Sequence, residues 1–184
     1  MAQFEEIRNI IDSTIIFCLI PMILTLPLVN LCWKEKYPIK KVLNIISWII
    51  VSYTVINTIY FIIGLTFMPE KFAFLDRATG PYWWSYWIMF LSATILPFSL
   101  LIKKLRVKLW YVLLVSFCMK IGFYFERFTL TLVSFHRDYS PSNEMNTDLY
   151  LPFYNLGMVF LQGFIMVIVL LTILKIVDGR KPLK

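Results

Sequence analysis

The residues that could do chemistry crowd into one stretch. Lys120, Glu126 and Arg127 interrupt a run that is otherwise apolar, and His136-Arg137-Asp138 follows it. An imidazole titrates near neutrality, so His136 could relay a proton. Glu126 could accept one, since burial favours the neutral form of a carboxyl, and Asp138 adds a second carboxylate beside the imidazole. Arg127 and Arg137 have the planar fork that holds a carboxylate or docks a partner. Metal chemistry is not expected: the chain has one histidine, and Cys18, Cys32 and Cys118 lie in apolar segments without CxxC or Cys/His spacing. Bis-His haem ligation is excluded on the same count.

These charges need elements that can carry them. Of the 184 residues 59% are apolar and 16% charged, and the apolar ones come in long runs, which is the composition of a membrane protein. The charge-poor runs predict an all-α integral membrane protein forming a single transmembrane domain over 1–184, with about five spans at 13–33, 42–68, 81–102, 109–135 and 151–174. The N-terminus, MAQFEEIRNIID, is acidic and unlike a signal peptide. Pro21 and Pro27 predict kinks in the first span. Residues 69–79 read as a loop or short interfacial helix that Gly80-Pro81 breaks.

The fourth span, at 1.5 Å rise per residue, reaches about 40 Å and exceeds a hydrocarbon core of about 30 Å. Lys120, Tyr124, Arg127, Thr131 and Ser134 fall at i, i+4, i+7, i+11 and i+14, and so lie within about 40° of one meridian. Glu126 then points about 120° away from Lys120. A charge at a helix centre costs about 2.5–3.5 kcal/mol on insertion scales, so this stripe should face protein or water. It lines either a hydrated cavity or a network that fastens the spans together. On the second span Tyr53, Asn57 and Tyr60 share a face, as interhelical hydrogen-bond partners or as a pocket wall. Tyr82, Trp83, Trp84, Tyr86 and Trp87 open the third span, more rings than a headgroup belt needs.

Charge asymmetry predicts orientation. Lys34, Lys36, Lys40, Lys41, Lys103, Lys104, Arg106, Lys108, Lys175, Arg180, Lys181 and Lys184 fall on one side of the five-span arrangement. Arg8, Lys71, Arg77 and Arg137, with most of the acids, fall on the other. The positive-inside rule then puts the N-terminus outside and the C-terminus in the cytoplasm. The net charge of +7 is thereby a topology signal, and nucleic-acid binding is not expected. The aromatic start of span three and the His136 loop share the outer face. No P-loop, dinucleotide fingerprint or Ser/His/Asp set is present, and no repeat symmetry or broken-helix pair favours a transporter.

The strings GPYWWSYW, LPFSLLIKKLR and IGFYFERFTLTLVSFHRDYSPS, preceded by FAFLDRATGPY, resemble the quinone-binding membrane subunit of bacterial alternative complex III. That subunit belongs to the NrfD/polysulfide-reductase membrane-subunit family. The likeness is densest over residues 72–143 and is to the C-terminal half of longer family members, whose quinol site is generally placed in the other half. It implies helices in four-helix bundles, a bacterial inner-membrane location, menaquinol as electron donor, and a periplasmic iron–sulfur subunit with other membrane subunits as partners. It also implies that Glu126, Arg127, His136, Arg137 and Asp138 serve the quinol, its protons or docking; Tyr82 and Trp84 are further candidates for binding the cofactor. Lys120 stands where the family usually has a neutral polar residue. The expected function is a membrane subunit of a quinol-oxidising respiratory complex; a non-catalytic anchor or assembly subunit is the alternative, and a small transporter a more distant one.

Overall fold

In lipid a backbone must satisfy its own hydrogen bonds, and every regular element among the described residues is a helix. The computed structural model describes residues 2–32, 39–67, 74–80, 82–125, 128, 132 and 145–179. Four helical stretches among them are long and apolar enough to cross a membrane: Glu6–Val29, Ile39–Phe67, Trp83–Leu101 and Gly157–Val177. The chain forms two compact units, residues 1–42 with 132–184, and residues 43–131.

In the first unit, α1 (Ala2–Ile11) runs through a π-helical turn, Asp12–Ile16, and α2 (Leu19–Cys32) follows. The π turn is closed by the Phe17 N–H donating to the Asp12 carbonyl at 3.0 Å. Pro21 accounts for the irregularity: it has no N–H to donate, and its ring crowds the carbonyl four residues back, which belongs to Phe17. The predicted first span is therefore helical but irregular before Pro21, while Pro27 lies within α2. The last helix, here α8 (Met145–Gly179), contains the predicted fifth span and packs on α2.

Their approach depends on Gly163. A Cβ there would meet the Pro21 Cβ at 2.7 Å and the Cys18 carbonyl oxygen at 3.1 Å. Four and eight residues on, Val167 and Leu171 are buried, as are Cys18, Leu19, Met22 and Leu26 of the facing segment. This is small-residue packing, the usual means of bringing apolar helices together where lipid removes the hydrophobic driving force. Gln162 adds a polar fastening, its side-chain amide donating to the Thr14 carbonyl in the π turn at 3.1 Å.

The second unit begins in α3 (Ile39–Phe67), matching the predicted second span. It continues through α4 (Phe74–Thr79), α5 (Trp83–Thr94), a 3-10 helix (Leu96–Leu101), the short α6 (Lys103–Arg106) and α7 (Leu109–Met119). Gly80 separates α4 from α5: a Cβ there would come within 2.5 Å of the Asp76 carbonyl oxygen. The third span changes from α to 3-10 geometry at Pro97, the second residue of the tighter segment. Leu43, Ile46, Ser47, Ile50, Val51 and Thr54 form a buried stripe on α3, and Val112, Val115, Ser116 and Met119 one on α7.

The largest departure concerns the predicted span 109–135. Helix α7 has 11 residues, about 16 Å long, too short to cross a hydrocarbon core alone. Lys120 leaves helical geometry, with φ −110° and ψ 16°, and residues 121–125 are helical again. A continuous helix from 109 does not exist, so the meridian computed from Lys120 does not carry onward. The Lys120 N–H bonds three residues back to Phe117, and its carbonyl still accepts from the Tyr124 N–H, both at 3.1 Å. Arg127, Thr131 and Ser134 lie outside the described residues.

Many large apolar side chains face outward, among them Ile56, Ile59 and Ile62 of α3, Ile88 and Leu91 of α5, and Leu161, Ile165 and Ile173 of α8. Water would penalise such a surface, whereas acyl chains would not.

Candidate functional site

The break at Lys120 positions the most chemically distinctive feature of the second unit. Leaving the helix turns the side chain toward α3, where the ammonium donates to the Tyr53 hydroxyl oxygen at 3.3 Å. The same ammonium lies 5.4 Å from the centroid of the Tyr53 ring, a cation–π contact worth about 0.5–2 kcal/mol. Together these offset part of the cost of a charge among apolar helices. Tyr53 thus acts as an interhelical partner. Next to it Thr54 donates to the Ile50 carbonyl at 2.9 Å and lies 3.9 Å from the Met119 sulfur, so α3 and the end of α7 are fastened at adjacent positions.

Lys120 also borders a cleft of about 560 Å³, within the size range of small-molecule sites. One wall is aromatic. Tyr86 and Phe90 of α5 stack at 6.0 Å with 18° between their planes, and Phe61 of α3 meets Phe90 at 5.3 Å. Phe74 of α4 supports Tyr86 from behind at 6.1 Å. Trp87 braces both, edge-on to Phe74 at 6.1 Å and to Phe90 at 5.9 Å, and its indole N–H donates to the Ala78 carbonyl at 3.3 Å. Met89 and Ala93 complete the α5 side, and Met119, Gly122 and Phe123 form the opposite side. A Cβ on Gly122 would sit 3.5 Å from the Met89 sulfur, an ordinary contact. A larger side chain there would enter the space between the walls.

Two cations, Arg77 and Lys120, lie on this lining, with the Tyr86 hydroxyl as a further polar group. The described lining offers hydrogen-bond donors and flat apolar faces, but neither a carboxylate nor an imidazole. Such a cleft can bind and orient a planar or chain-like apolar molecule carrying oxygen acceptors. Removing a proton from it requires a base contributed from elsewhere.

Tyr82, just before α5, and Trp84, in its first turn, are 74% and 55% exposed and lie outside the cleft lining. Glu126, Arg127, His136, Arg137 and Asp138 lie outside the described residues. No group of histidines, cysteines and carboxylates that could hold a metal occurs among the described residues. Sequence reasoning singled out Lys120 but missed Arg77, Phe61, Met89 and Phe90 as walls. Arg77 counted only toward loop charge, and the apolar residues carry no mark distinguishing a cleft from lipid contact.

No protein-family model matches the chain, nor does any curated protein or solved structure.

Proposed function

We propose that the chain is a membrane subunit of a quinol-oxidising respiratory complex in a bacterial inner membrane, and that the cleft of the second unit receives the quinone ring. The reading is supported by the resemblance of residues 72–143 to the quinone-binding subunit. The observation that carries it is the juxtaposition of Lys120 with the Tyr86–Phe90 wall across one cleft. A quinone ring is planar, apolar and edged by two oxygen acceptors. Stacked aromatic faces suit the ring, and the Lys120 ammonium and Arg77 guanidinium suit the oxygens. Tyr53 orients Lys120. A bound quinol would supply two electrons and two protons. Glu126, His136 and Asp138 remain the candidates for handling those protons, Arg127 and Arg137 for binding or docking, and Tyr82 and Trp84 for the approach of the ring. The electrons would pass to a periplasmic iron–sulfur partner, with the N-terminus outside and the C-terminus in the cytoplasm.

A second reading is favoured by one observation: the described lining has donors but no proton acceptor. A non-catalytic anchor that binds a quinone or lipid to stabilise a larger assembly would look the same. Purification in mild detergent tests both. An iron–sulfur polypeptide and extractable quinone are expected to copurify. An assembly that contains the chain, lacks quinone and still oxidises quinol would overturn the first reading and leave the anchor.

A further inference from the structure

At the other end of the second unit, the chain turns between the 3-10 helix and α7 through Ile102–Lys108. The helices on either side are apolar to their ends, and in a bilayer a charged turn between apolar helices belongs at the level of the lipid headgroups. Four cations fall within six residues: Lys103, Lys104, Arg106 and Lys108. The sequence holds no acid between Asp76 and Glu126, so neighbours along the chain do not neutralise them. Lys103, Lys104 and Lys108 are exposed, while Arg106 is half-buried.

Arg106 differs from a loose surface cation because it is held at two points. The hydroxyl of the fully buried Ser47 donates to its backbone carbonyl at 3.3 Å. Its guanidinium lies 5.2 Å from the centroid of the Trp48 ring. Its Nε is covered and has no hydrogen-bond acceptor among the described residues, a state that costs free energy until an acceptor arrives. Apolar surface surrounds this fixed cation: Leu101, Ile102 and Trp110 are 51%, 55% and 77% exposed.

We propose that this turn binds the phosphate of an anionic glycerophospholipid. Arg106 is the fixed donor, Lys103 and Lys104 add charge, and Trp48 and Trp110 lie against the glycerol and first acyl carbons. Charge complementarity selects the phosphate, and the exposed apolar flank selects a lipid over a water-soluble polyanion, which would leave Leu101, Ile102 and Trp110 uncovered. Basic pockets between spans are known to take such headgroups, and indole rings favour this depth. The site is separate from the cleft and does not depend on the quinone reading.

The test uses the full chain in nanodiscs of phosphatidylcholine mixed with phosphatidylglycerol, and counts retained lipids by native mass spectrometry. Wild type should retain phosphatidylglycerol in preference. Arg106→Gln should weaken that preference about fivefold or more, as expected for at least one headgroup-level cation. Lys103→Gln with Lys104→Gln changes only exposed side chains and should weaken it too, which keeps the test decisive if the Arg106 variant misfolds. Lys40→Gln, an exposed cation in the first turn of α3, should leave it unchanged, and excess inorganic phosphate should not release the lipid. Equal retention of both lipids by wild type, or an equal loss from Lys40→Gln, would overturn the proposal in favour of diffuse surface charge. Release by inorganic phosphate would overturn it in favour of a simple anion site.

Discussion

The two units bring apolar helices together in opposite ways. In the first, Gly163 lets α8 close on the segment around Pro21, and the stripe through Val167 and Leu171 fills the contact. In the second, large side chains line the meeting of α5 with the segment after α7: Tyr86, Met89, Phe90 and Phe123 border a cleft. The spans of the first unit are the more hydropathic, but hydropathy does not say where two helices close. The size of the side chain at the point of closest approach does. A glycine at the crossing makes a dry contact, whereas rings on one side and Gly122 on the other leave a space that a ligand can fill. Polar groups follow the same division. Gln162 spans the closed contact to cap a carbonyl, and Lys120 borders the open one.

Substitutions can break this contrast to different degrees. The largest effect is expected from Gly163→Leu, which forces α8 off the Pro21 segment and should cost about 3 kcal/mol or more. Thermal unfolding in detergent would show a lowered Tm, and an unchanged Tm would mean that the close approach is not a stabilising contact. Gly163→Ala should give an intermediate loss, because its Cβ alone meets Pro21.

Lys120→Leu comes next. It removes the bond to Tyr53 and the donor at the cleft, while relieving the cost of a charge at membrane depth. Stability should change by less than about 1 kcal/mol, whereas quinone retention should fall about tenfold, consistent with loss of one charge-assisted hydrogen bond. A variant that assembles, retains quinone and works as wild type would remove Lys120 from the site.

The smallest effect is expected from Gln162→Leu, which leaves the Thr14 carbonyl without that donor. A cost of about 1 kcal/mol is expected, readable as faster amide exchange in the Asp12–Ile16 turn. Exchange in the second unit should not change.

Much of the helical frame was legible in the residue pattern, because long charge-free runs have few alternatives in lipid. The spans at 42–68 and 151–174 correspond to Ile39–Phe67 and to part of Met145–Gly179. The short helix before Gly80 and the irregularity near Pro21 follow from local chemistry that glycine and proline impose. The break at Lys120 was not legible. A periodicity argument assumes an unbroken helix, and the partner that holds the lysine side chain, Tyr53, is 67 residues away. The walls of the cleft were hidden for a different reason. Phe61 and Phe90 look like lipid-facing residues until the helices are assembled around them. Glu126, His136 and Asp138 were legible as candidates for proton chemistry, since charges and imidazoles are costly in such a chain; they lie outside the described residues.

The central claim is that the cleft of the second unit holds a quinone ring, and Gly122 tests it most directly. A Cβ at that position fits at 3.5 Å from the Met89 sulfur, and anything much larger must occupy the cleft. Quinone extracted from purified wild type, Gly122→Ala and Gly122→Phe proteins, each with its Tm, is the measurement. Retention equal to wild type in the alanine variant, with loss of quinone from a folded phenylalanine variant, is the predicted result. Full quinone retention in a folded Gly122→Phe protein would contradict the account.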